Sequence, residues 1–152
     1  MSEPTLIDTN VLVYSCLEED SRYQACRAVL TEARSPDGNL CVVQQVLTEF
    51  YAVITNRKQV TACFEPDEAL AEIDNYLAAP GITLLTQPAD LTTRTLGLLR
   101  RVPVPGHAVY DLQIAAVALG NGVSRILTYD RTNFGKFSEL TVVEPKAHGE
   151  AG

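Results

Sequence analysis

The sequence predicts a three-layer α/β/α sandwich around a central, mainly parallel sheet of about five short strands. Short, continuously apolar runs alternate with helical patterns along the chain, which is typical of parallel strands covered by helices on both faces. The length of 152 residues and the hydrophobic content of 46% fit one globular domain. We therefore expect a single domain over residues 1–146, followed by a flexible tail over residues 147–152.

The first strand is predicted at residues 5–8, where a short apolar run ends in a charged residue. A helical turn follows over residues 9–17. Asp20 or Ser21 is expected to cap the next helix, because both side chains can accept a hydrogen bond from a free backbone N–H. That helix carries apolar residues at helical spacing, namely Ala25, Ala28, Val29 and Ala33.

The sequence Pro-Asp-Gly-Asn at residues 36–39 predicts a turn. A second strand is expected at residues 40–43, and a helix at residues 44–56. Another helix is predicted over residues 66–79, because it begins with a proline whose fixed φ suits the first helical position. A Pro-Gly pair ends this helix.

The third strand is predicted at residues 82–85. Helices are expected at residues 89–101 and 108–119, separated by a proline-rich loop, and a Gly-Asn-Gly sequence forms the C-terminal cap of the second one. The last two strands are predicted at residues 125–128 and 140–143.

The formal net charge of −7 argues against a broad, non-specific nucleic-acid surface of the kind that basic domains present. Four acids considered below are candidate metal ligands, and setting them aside leaves 15 of the 19 acidic residues against 12 basic ones. The charges of the remaining residues are nearly balanced, so local patches of charge decide what the protein binds.

Cysteine usage and hydropathy bear on the cellular compartment. The four cysteines are irregularly spaced and include no C-x-x-C pair, so we expect reduced thiols and no structural zinc site. No apolar run approaches the ~18 residues needed to cross a bilayer, and the N-terminus lacks the profile of a secretory signal. We therefore expect a cytoplasmic protein that does not bind membranes.

Four carboxylates stand where an exposed charge is not expected: Asp8, Glu49, Asp111 and Asp130. Two of them follow the first and fourth predicted strands, and the other two share helix faces with apolar residues. Carboxylates are rarely buried unless they are paired or coordinate a cation. Because ligands gather at the carboxyl ends of parallel strands, near a switch in strand order, these four acids are predicted to meet at one site.

Each acid also has a structural explanation when it is considered alone. Asp8 can cap the helical turn that follows it, and Asp111 can interact with a helix dipole. Glu49 can reach water from the edge of its apolar stripe, and Asp130 can belong to a turn. Their joint occurrence at one predicted sheet edge favours a shared functional site.

Carboxylates that converge repel one another, and two charges 4 Å apart cost ~4 kcal/mol at an effective dielectric of 20. Hard divalent cations relieve this repulsion because they prefer oxygen ligands. They also keep water molecules that can attack a phosphodiester. We therefore interpret the four acids as a Mg²⁺ site, in which Mn²⁺ can substitute, for phosphodiester hydrolysis.

Four sequence blocks contain the four acids: LIDTNVL at residues 6–12, LTEF at 47–50, YDLQIAA at 110–116 and ILTYDRTNF at 126–134. In this order they resemble the blocks of PIN-domain ribonucleases, and most closely those of the VapC-type toxins of toxin-antitoxin modules. The resemblance spans residues 5–145. It implies a PIN-like fold, a Mg²⁺-dependent endoribonuclease activity, and a catalytic and metal-binding role for Asp8, Glu49, Asp111 and Asp130.

The resemblance also implies supporting roles for nearby polar residues. Thr9, Asn10 and Thr128 match positions whose hydroxyl and amide groups orient carboxylates or bound waters. Helix capping explains Thr9 and Asn10 equally well, and a strand position explains Thr128. Asn133 lies where many relatives carry a further acid, so the resemblance implies one tightly held metal ion and a second that only substrate recruits.

Some other side chains are candidate substrate contacts. Arg131 follows the fourth acid and is a candidate ligand for an RNA phosphate, with a solvated loop position as the alternative. His107 is a candidate proton donor, with a surface histidine as the alternative. Four aromatic residues are candidates either for stacking on bases or for the core, namely Tyr14, Tyr51, Tyr110 and Phe134.

The two predicted helices between residues 67 and 99 carry more apolar positions than one sheet face needs. The resemblance implies that they form a homodimer interface and a groove for a cognate antitoxin, whereas the alternative is that they only cover the sheet. A basic antitoxin tail fits an acidic pocket, because a guanidinium pairs with carboxylates in bidentate fashion.

Two other functional classes are compatible with parts of the sequence. The acidic surface and Asn133 fit a catalytically weak PIN-like module for RNA binding or assembly. A phospho-acceptor receiver domain also gathers acids at strand ends, but it requires an aspartate after the third strand. Residues 82–86 contain none, which disfavours a receiver domain.

Overall fold

The computed structural model describes residues 3–146, and it confirms the predicted architecture. Five short strands form one sheet, in the order β3-β2-β1-β4-β5, and every neighbouring pair is parallel. The strands are β1 (Thr5–Ile7), β2 (Leu40–Val42), β3 (Ile82–Leu84), β4 (Arg125–Leu127) and β5 (Thr141–Val143). The tail that the sequence predicts over residues 147–152 lies outside the described residues.

Seven α-helices connect these strands within residues 3–146. They are α1 (Thr9–Tyr14), α2 (Tyr23–Glu32), α3 (Gln44–Ile54), α4 (Pro66–Ala78), α5 (Leu91–Arg101), α6 (Ala108–Gly120) and α7 (Arg131–Phe134). Pro66 occupies the first turn of α4, and Asn121 and Gly122 end α6, with Gly122 at φ +74°. Both termini therefore follow the predicted signals, since only glycine adopts a positive φ without steric cost.

The strand order places helices on both faces of the sheet. The chain moves from β1 to β2 to β3 in one direction and then returns to the other side of β1 for β4. Right-handed crossovers then put α1 to α4 on one face and α5 to α7 on the other. In agreement, α1 contacts α3 and α3 contacts α4, whereas α5 contacts α6 and α6 contacts α7.

The limits of several elements differ from the prediction. Each strand is one residue shorter than expected, and the first helix ends at Tyr14 rather than at residue 17. Its end coincides with Ser15, whose buried hydroxyl donates a 2.6 Å hydrogen bond to the Leu12 carbonyl. The four-residue helix α7 is absent from the prediction, because a single turn is too short to show helical periodicity.

The predicted cap of α2 is wrong. Arg22 occupies the N-cap position, and neither Asp20 nor Ser21 caps the helix with its side chain. The Asp20 carboxylate instead accepts hydrogen bonds from the backbone N–H of Arg22 and from its guanidinium. The aspartate has therefore paired with a charged donor, which forms a stronger bond than a neutral backbone N–H.

The core lies on both faces of the sheet. Leu6, Ile7 and Ile126 are all essentially inaccessible, as expected of parallel strands with helices on either side. Phe134 is fully buried, so it belongs to the core and is not available to stack on a base.

All four cysteines are free thiols. Within residues 3–146 no helix combines the length and the apolar character that a membrane crossing requires.

The switch in strand order falls between β1 and β4. These two strands are neighbours in the sheet, with Ile7 beside Leu127, but the chain leaves them toward opposite sides of the sheet. The diverging connections open a crevice at the carboxyl ends of the two strands. Asp8 directly follows β1, and Asp130 lies three residues beyond the end of β4.

Candidate active site

The structure brings the four acids, Asp8, Glu49, Asp111 and Asp130, to one cavity of about 340 Å³. Thr9, Asn10 and several partly apolar residues complete its wall, namely Val13, Tyr14, Leu17, Val53, Gln59 and Val60. Among the described residues that line this cavity there is no lysine or arginine. The carboxylates therefore lack a cationic partner within the wall.

Asp8 is the most buried of the four acids, with 6% of its surface exposed. It caps α1: one carboxylate oxygen, Oδ1, accepts from the backbone N–H of Thr9 at 2.8 Å. The other, Oδ2, accepts from the Thr128 hydroxyl at 2.7 Å and from the Asn10 amide at 3.2 Å. Asp8 therefore both caps α1 and lines the cavity.

The pKa of Asp8 is raised from its ordinary value of 3.8 to about 6, chiefly by burial. The hydrogen bonds from Thr128 and Thr9 lower this pKa, and the nearby charges of Glu49 and Asp130 raise it. Loss of hydration outweighs the hydrogen bonds that stabilise the charged form. The ionised carboxylate is therefore held at a cost in free energy.

Thr128 connects the ends of β1 and β4. Its fully buried hydroxyl donates to Asp8 and accepts from the Asn10 amide at 3.0 Å and from the backbone N–H of Asp130 at 2.9 Å. This uses the one donor and both acceptor positions of a hydroxyl. The Asn10 carbonyl in turn accepts from the backbone N–H of Tyr129 at 3.2 Å. The network fixes two of the acids relative to each other.

Glu49, on α3, is held by both of its carboxylate oxygens. Its Oε2 accepts from the Thr9 hydroxyl at 3.0 Å, and its Oε1 accepts from the Gln45 amide at 2.9 Å. The same Gln45 nitrogen donates to the backbone carbonyl of Tyr110 at 2.9 Å, next to Asp111. Gln45 therefore joins the two helices that carry acids.

Sequence reasoning missed Gln45. A glutamine four residues before Glu49 lies on the same helix face, and that spacing was the available signal. Its second partner, the Tyr110 carbonyl, is 65 positions away along the chain and becomes visible only in the fold.

Asp111 lies in the first turn of α6 and is half-buried. Its pKa is raised from 3.8 to about 6, chiefly by burial and also by the charges of Asp8, Asp130 and Glu49, whereas the side chain of Asn133 lowers it. The repulsion that the sequence predicts among the four acids is thus present at this position.

Asp130 is the N-cap of α7. Its Oδ1 accepts from the backbone N–H of Asn133 at 3.2 Å, and its Oδ2 accepts from the Asn133 side-chain amide at 2.9 Å. Asn133 thus acts on Asp130 directly and also stabilises the charged form of Asp111. At position 133, where the resemblance leads one to expect a further acid, this chain therefore has a neutral donor that acts on both Asp130 and Asp111.

The chemistry of this donor set fits a hard divalent cation. The cavity offers four carboxylates together with hydroxyl and amide oxygens, and two of the carboxylates have pKa values raised by burial. Within residues 3–146, however, no three His, Cys, Asp or Glu side chains are already close enough to hold a metal ion together. Joint coordination by the four acids is therefore a proposal.

Two candidate residues lie away from the cavity wall. Arg131 forms an exposed ion pair with Glu144, at 3.0 Å between Nε and Oε1. His107 is exposed and packs against the ring of Tyr110, with the two ring centroids 5.8 Å apart. Of the four aromatic candidates, only Tyr14 lines the cavity. Direct roles for Arg131 and His107 remain predictions.

Comparison with known proteins places these features in context. The family model of the PIN domain matches residues 5–140. A VapC ribonuclease of Mycobacterium bovis is 31% identical over 134 residues, which is 88% of this chain and 90% of the relative.

Solved structures share the fold at lower identity. The Mycobacterium tuberculosis toxin VapC20, which is described as cleaving the sarcin-ricin loop, superimposes with a TM-score of 0.61 at 19% identity, covering 90% of this chain and 98% of that one. A toxin-antitoxin complex from Klebsiella pneumoniae gives a TM-score of 0.59 at 17% identity, with coverages of 93% and 98%.

Proposed function

Because the chain belongs to the PIN-domain family, with VapC ribonucleases among its relatives, we propose that it is a Mg²⁺-dependent endoribonuclease and the toxin of a toxin-antitoxin pair. The observation that carries this proposal is the single cavity lined by all four acids and by no basic residue of the described chain. Such a toxin acts on cellular RNA, so a cytoplasmic location is part of the proposal.

The four acids are the proposed ligands of Mg²⁺, for which Mn²⁺ can substitute. When bound, the cation neutralises part of the carboxylate charge and supplies an activated water for attack on an RNA phosphodiester. The contribution of the protein is to position the ligands. Thr128 and Asn10 hold Asp8, and Thr9 and Gln45 hold Glu49, so both carboxylates are oriented before a cation arrives.

Asn133 bears on the number of metal ions. An amide contributes no negative charge, and here its nitrogen already donates to Asp130. The Asp130 side of the cavity therefore attracts a second cation less strongly than a site with a fifth carboxylate. We propose one tightly held metal ion, with a second ion bound only together with the phosphate of the substrate.

Replacing Asp8 by Asn tests the catalytic proposal. The variant should lose Mg²⁺-dependent cleavage of a labelled RNA, because the most deeply placed ligand becomes neutral. Asp37→Asn is a matched control, since Asp37 is exposed in a short 3-10 helix that precedes β2, whereas the acids lie at the carboxyl ends of the strands. Metal-dependent cleavage by the Asp8 variant at the wild-type rate would refute the assignment.

The proposed partners are a second copy of the chain and a cognate antitoxin. Leu70 and Leu77 lie seven residues apart on one face of α4 and are 51% and 46% exposed. Leu84 on the edge strand β3 and Leu96 on α5 are 46% and 44% exposed. These residues lie in the two-helix region that the sequence predicts as an interface, and exposed apolar residues of this size favour a protein partner over water.

A double replacement of Leu70 and Leu77 by Glu tests the interface. In sedimentation velocity the wild type should behave as a dimer and the variant as a monomer, because four buried charges would face one another across a symmetric contact. Ala71→Glu is the control, as it places one charge at an exposed position of the same helix. A wild-type monomer, or a variant that remains dimeric, would contradict the dimer proposal.

The alternative is a catalytically weak RNA-binding or assembly module. It is favoured by Asn133 and by the absence, within residues 3–146, of three acids already close enough to hold a metal ion. Calorimetric titration with Mn²⁺ distinguishes the two proposals. No heat of binding at millimolar Mn²⁺ would favour the weak module over the enzyme.

A further inference from the structure

Three side chains from separate elements meet beside the cavity of the four acids. Tyr14 ends α1, Arg22 precedes α2, and Tyr129 lies in the loop between β4 and α7. Tyr14 lines the cavity, and Tyr129 directly precedes Asp130 in the chain. We call these three residues the tyrosine-arginine platform.

The platform is held in one arrangement by contacts on several sides. The guanidinium carbon of Arg22 lies 3.6 Å from the centroid of the Tyr14 ring and 5.7 Å from that of Tyr129. The two tyrosine rings meet edge to face, 5.6 Å apart. The Tyr129 hydroxyl lies 3.7 Å from the sulfur of Cys26, and its backbone N–H donates to Asn10. A ligand would therefore find this surface already ordered.

The contacts of Arg22 determine which part of it remains free. Its Nε and Nη2 donate to the two carboxylate oxygens of Asp20, each at 2.9 Å. One face of the guanidinium covers the Tyr14 ring, yet 40% of the side chain is exposed. One face and one edge are therefore in use, and the second flat face takes part in neither of these contacts.

The local charge favours a flat, uncharged ligand over a phosphate. Asp20 neutralises Arg22, and the next cavity along the surface is lined by Glu18 and Glu19 as well as Asp20. That cavity shares Leu17, Gln59 and Val60 with the cavity of the four acids, so the two lie side by side. A phosphate would be repelled by these acids, whereas a nucleobase stacks on a guanidinium plane without bringing charge.

We propose that the tyrosine-arginine platform binds an unpaired base of the RNA substrate, adjacent to the phosphate that enters the cavity of the four acids. The inference rests on the proposed ribonuclease function and adds a subsite for one base beside the cut. The base stacks on the outer face of Arg22, whose inner face rests on Tyr14. Tyr129 supports Tyr14 and connects the platform to the loop that carries Asp130.

Equilibrium binding of a short RNA tests this inference. The probe is a fluorescein-labelled, single-stranded RNA of ten nucleotides and mixed sequence, and binding is followed by fluorescence anisotropy in the Asp8→Asn background to suppress cleavage. Arg22→Ala should weaken binding about tenfold, the size expected for one lost base stack. Arg22→Lys should weaken it nearly as much, because lysine keeps the charge but has no plane on which a base can stack. Arg34→Ala, an exposed arginine beyond the other end of α2, is the matched control and should leave affinity unchanged.

A change in the RNA provides a test that does not depend on the folding of a variant. Replacing nucleotides one at a time by abasic residues should identify a position at which affinity falls about tenfold with Arg22 present and does not fall further with Arg22→Ala. Wild-type affinity in Arg22→Lys would overturn the inference and indicate a phosphate contact. Equal affinities for all abasic RNAs would also overturn it.

Cleavage of the same RNA by the wild type in Mg²⁺ separates this inference from the proposed function. If the RNA is cut but its binding does not depend on Arg22, the inferred role of the platform is wrong and the proposed ribonuclease function stands. If the RNA is not cut but its binding depends on Arg22 and on one base, the inferred role of the platform is supported and the proposed ribonuclease function is refuted.

Discussion

Asp8→Asn should stabilise the metal-free protein at neutral pH, although it removes a native hydrogen-bonding group. The reason is that Asp8 is 6% exposed and that its pKa is raised from 3.8 to about 6, chiefly by burial. A difference of about two pH units between the folded and unfolded states corresponds to ~3 kcal/mol of lost stability. An asparagine of the same shape does not carry this cost.

The hydrogen bonds of the site reduce the expected gain. An asparagine at position 8 can place its carbonyl where Oδ2 lies and still accept from the Thr128 hydroxyl and the Asn10 amide. Its amide nitrogen then faces the backbone N–H of Thr9, which loses its acceptor. With one such bond lost, at ~1 kcal/mol, the net gain is ~2 kcal/mol. For a chain of this length that gain raises the melting temperature by about 4–8 °C.

The gain should depend on pH in a defined direction. Below pH 3.8 the Asp8 carboxyl is protonated in both the folded and the unfolded protein, so its pKa difference costs nothing. The cost grows as the pH rises from 3.8 to about 6 and is complete above that range. The stability of the variant relative to the wild type should therefore fall by ~2 kcal/mol between pH 7.5 and pH 4.

Thermal and urea denaturation in EDTA, followed by circular dichroism at these two pH values, measure the effect. Asp37→Asn is the control, because Asp37 is exposed and away from the cavity. A variant that melts below the wild type at pH 7.5, or a difference that is the same at both pH values, would refute the reasoning. Adding Mg²⁺ should reverse the order of stability, since the wild type gains a ligand that the variant binds less well.

Three further changes address the residues around the acids. Replacing Gln45 by Leu should weaken Mn²⁺ binding about tenfold in calorimetric titration, because Glu49 loses the donor that orients it; unchanged affinity would count against this role. Replacing Asn133 by Asp should add a ligand, so that the Mn²⁺ stoichiometry in the same titration rises from one to two and the metal-free protein melts at a lower temperature. A stoichiometry of one in both proteins would contradict this. Replacing Thr128 by Val should lower the free energy of unfolding in urea by about 1–3 kcal/mol, because Asp8 loses a buried donor, whereas Thr128→Ser should behave as the wild type. Equal stability of the Val and Ser variants would show that the hydroxyl is dispensable.

The fold was predictable because its signals are local. Pro66 at the start of α4 and Gly122 after α6 mark helix ends by their own backbone preferences. The acids were predictable for a related reason: Asp8 follows an apolar strand, and Glu49 shares a helix face with apolar residues, so each stands out against its own neighbours. Parallel strand topology then brings such residues to one edge.

The missed contacts depend on residues that are distant in sequence. Gln45 acts through the Tyr110 carbonyl, 65 positions away, and Arg22 acts through Tyr14 and a loop near Asp130. No pattern along the chain reports such neighbours. Asp20 does not cap α2 because it pairs with Arg22, and Arg131 pairs with Glu144 in the same way. Hydrophobic periodicity along the chain does not reveal such ion pairs.

The bond between Asp8 and Thr128 joins residues 120 positions apart, which has a consequence for protein synthesis. The ribosome releases Asp8 well before its partner Thr128, which directly follows β4. A nascent chain or a prematurely terminated fragment therefore cannot assemble the cavity, however well its first helices form.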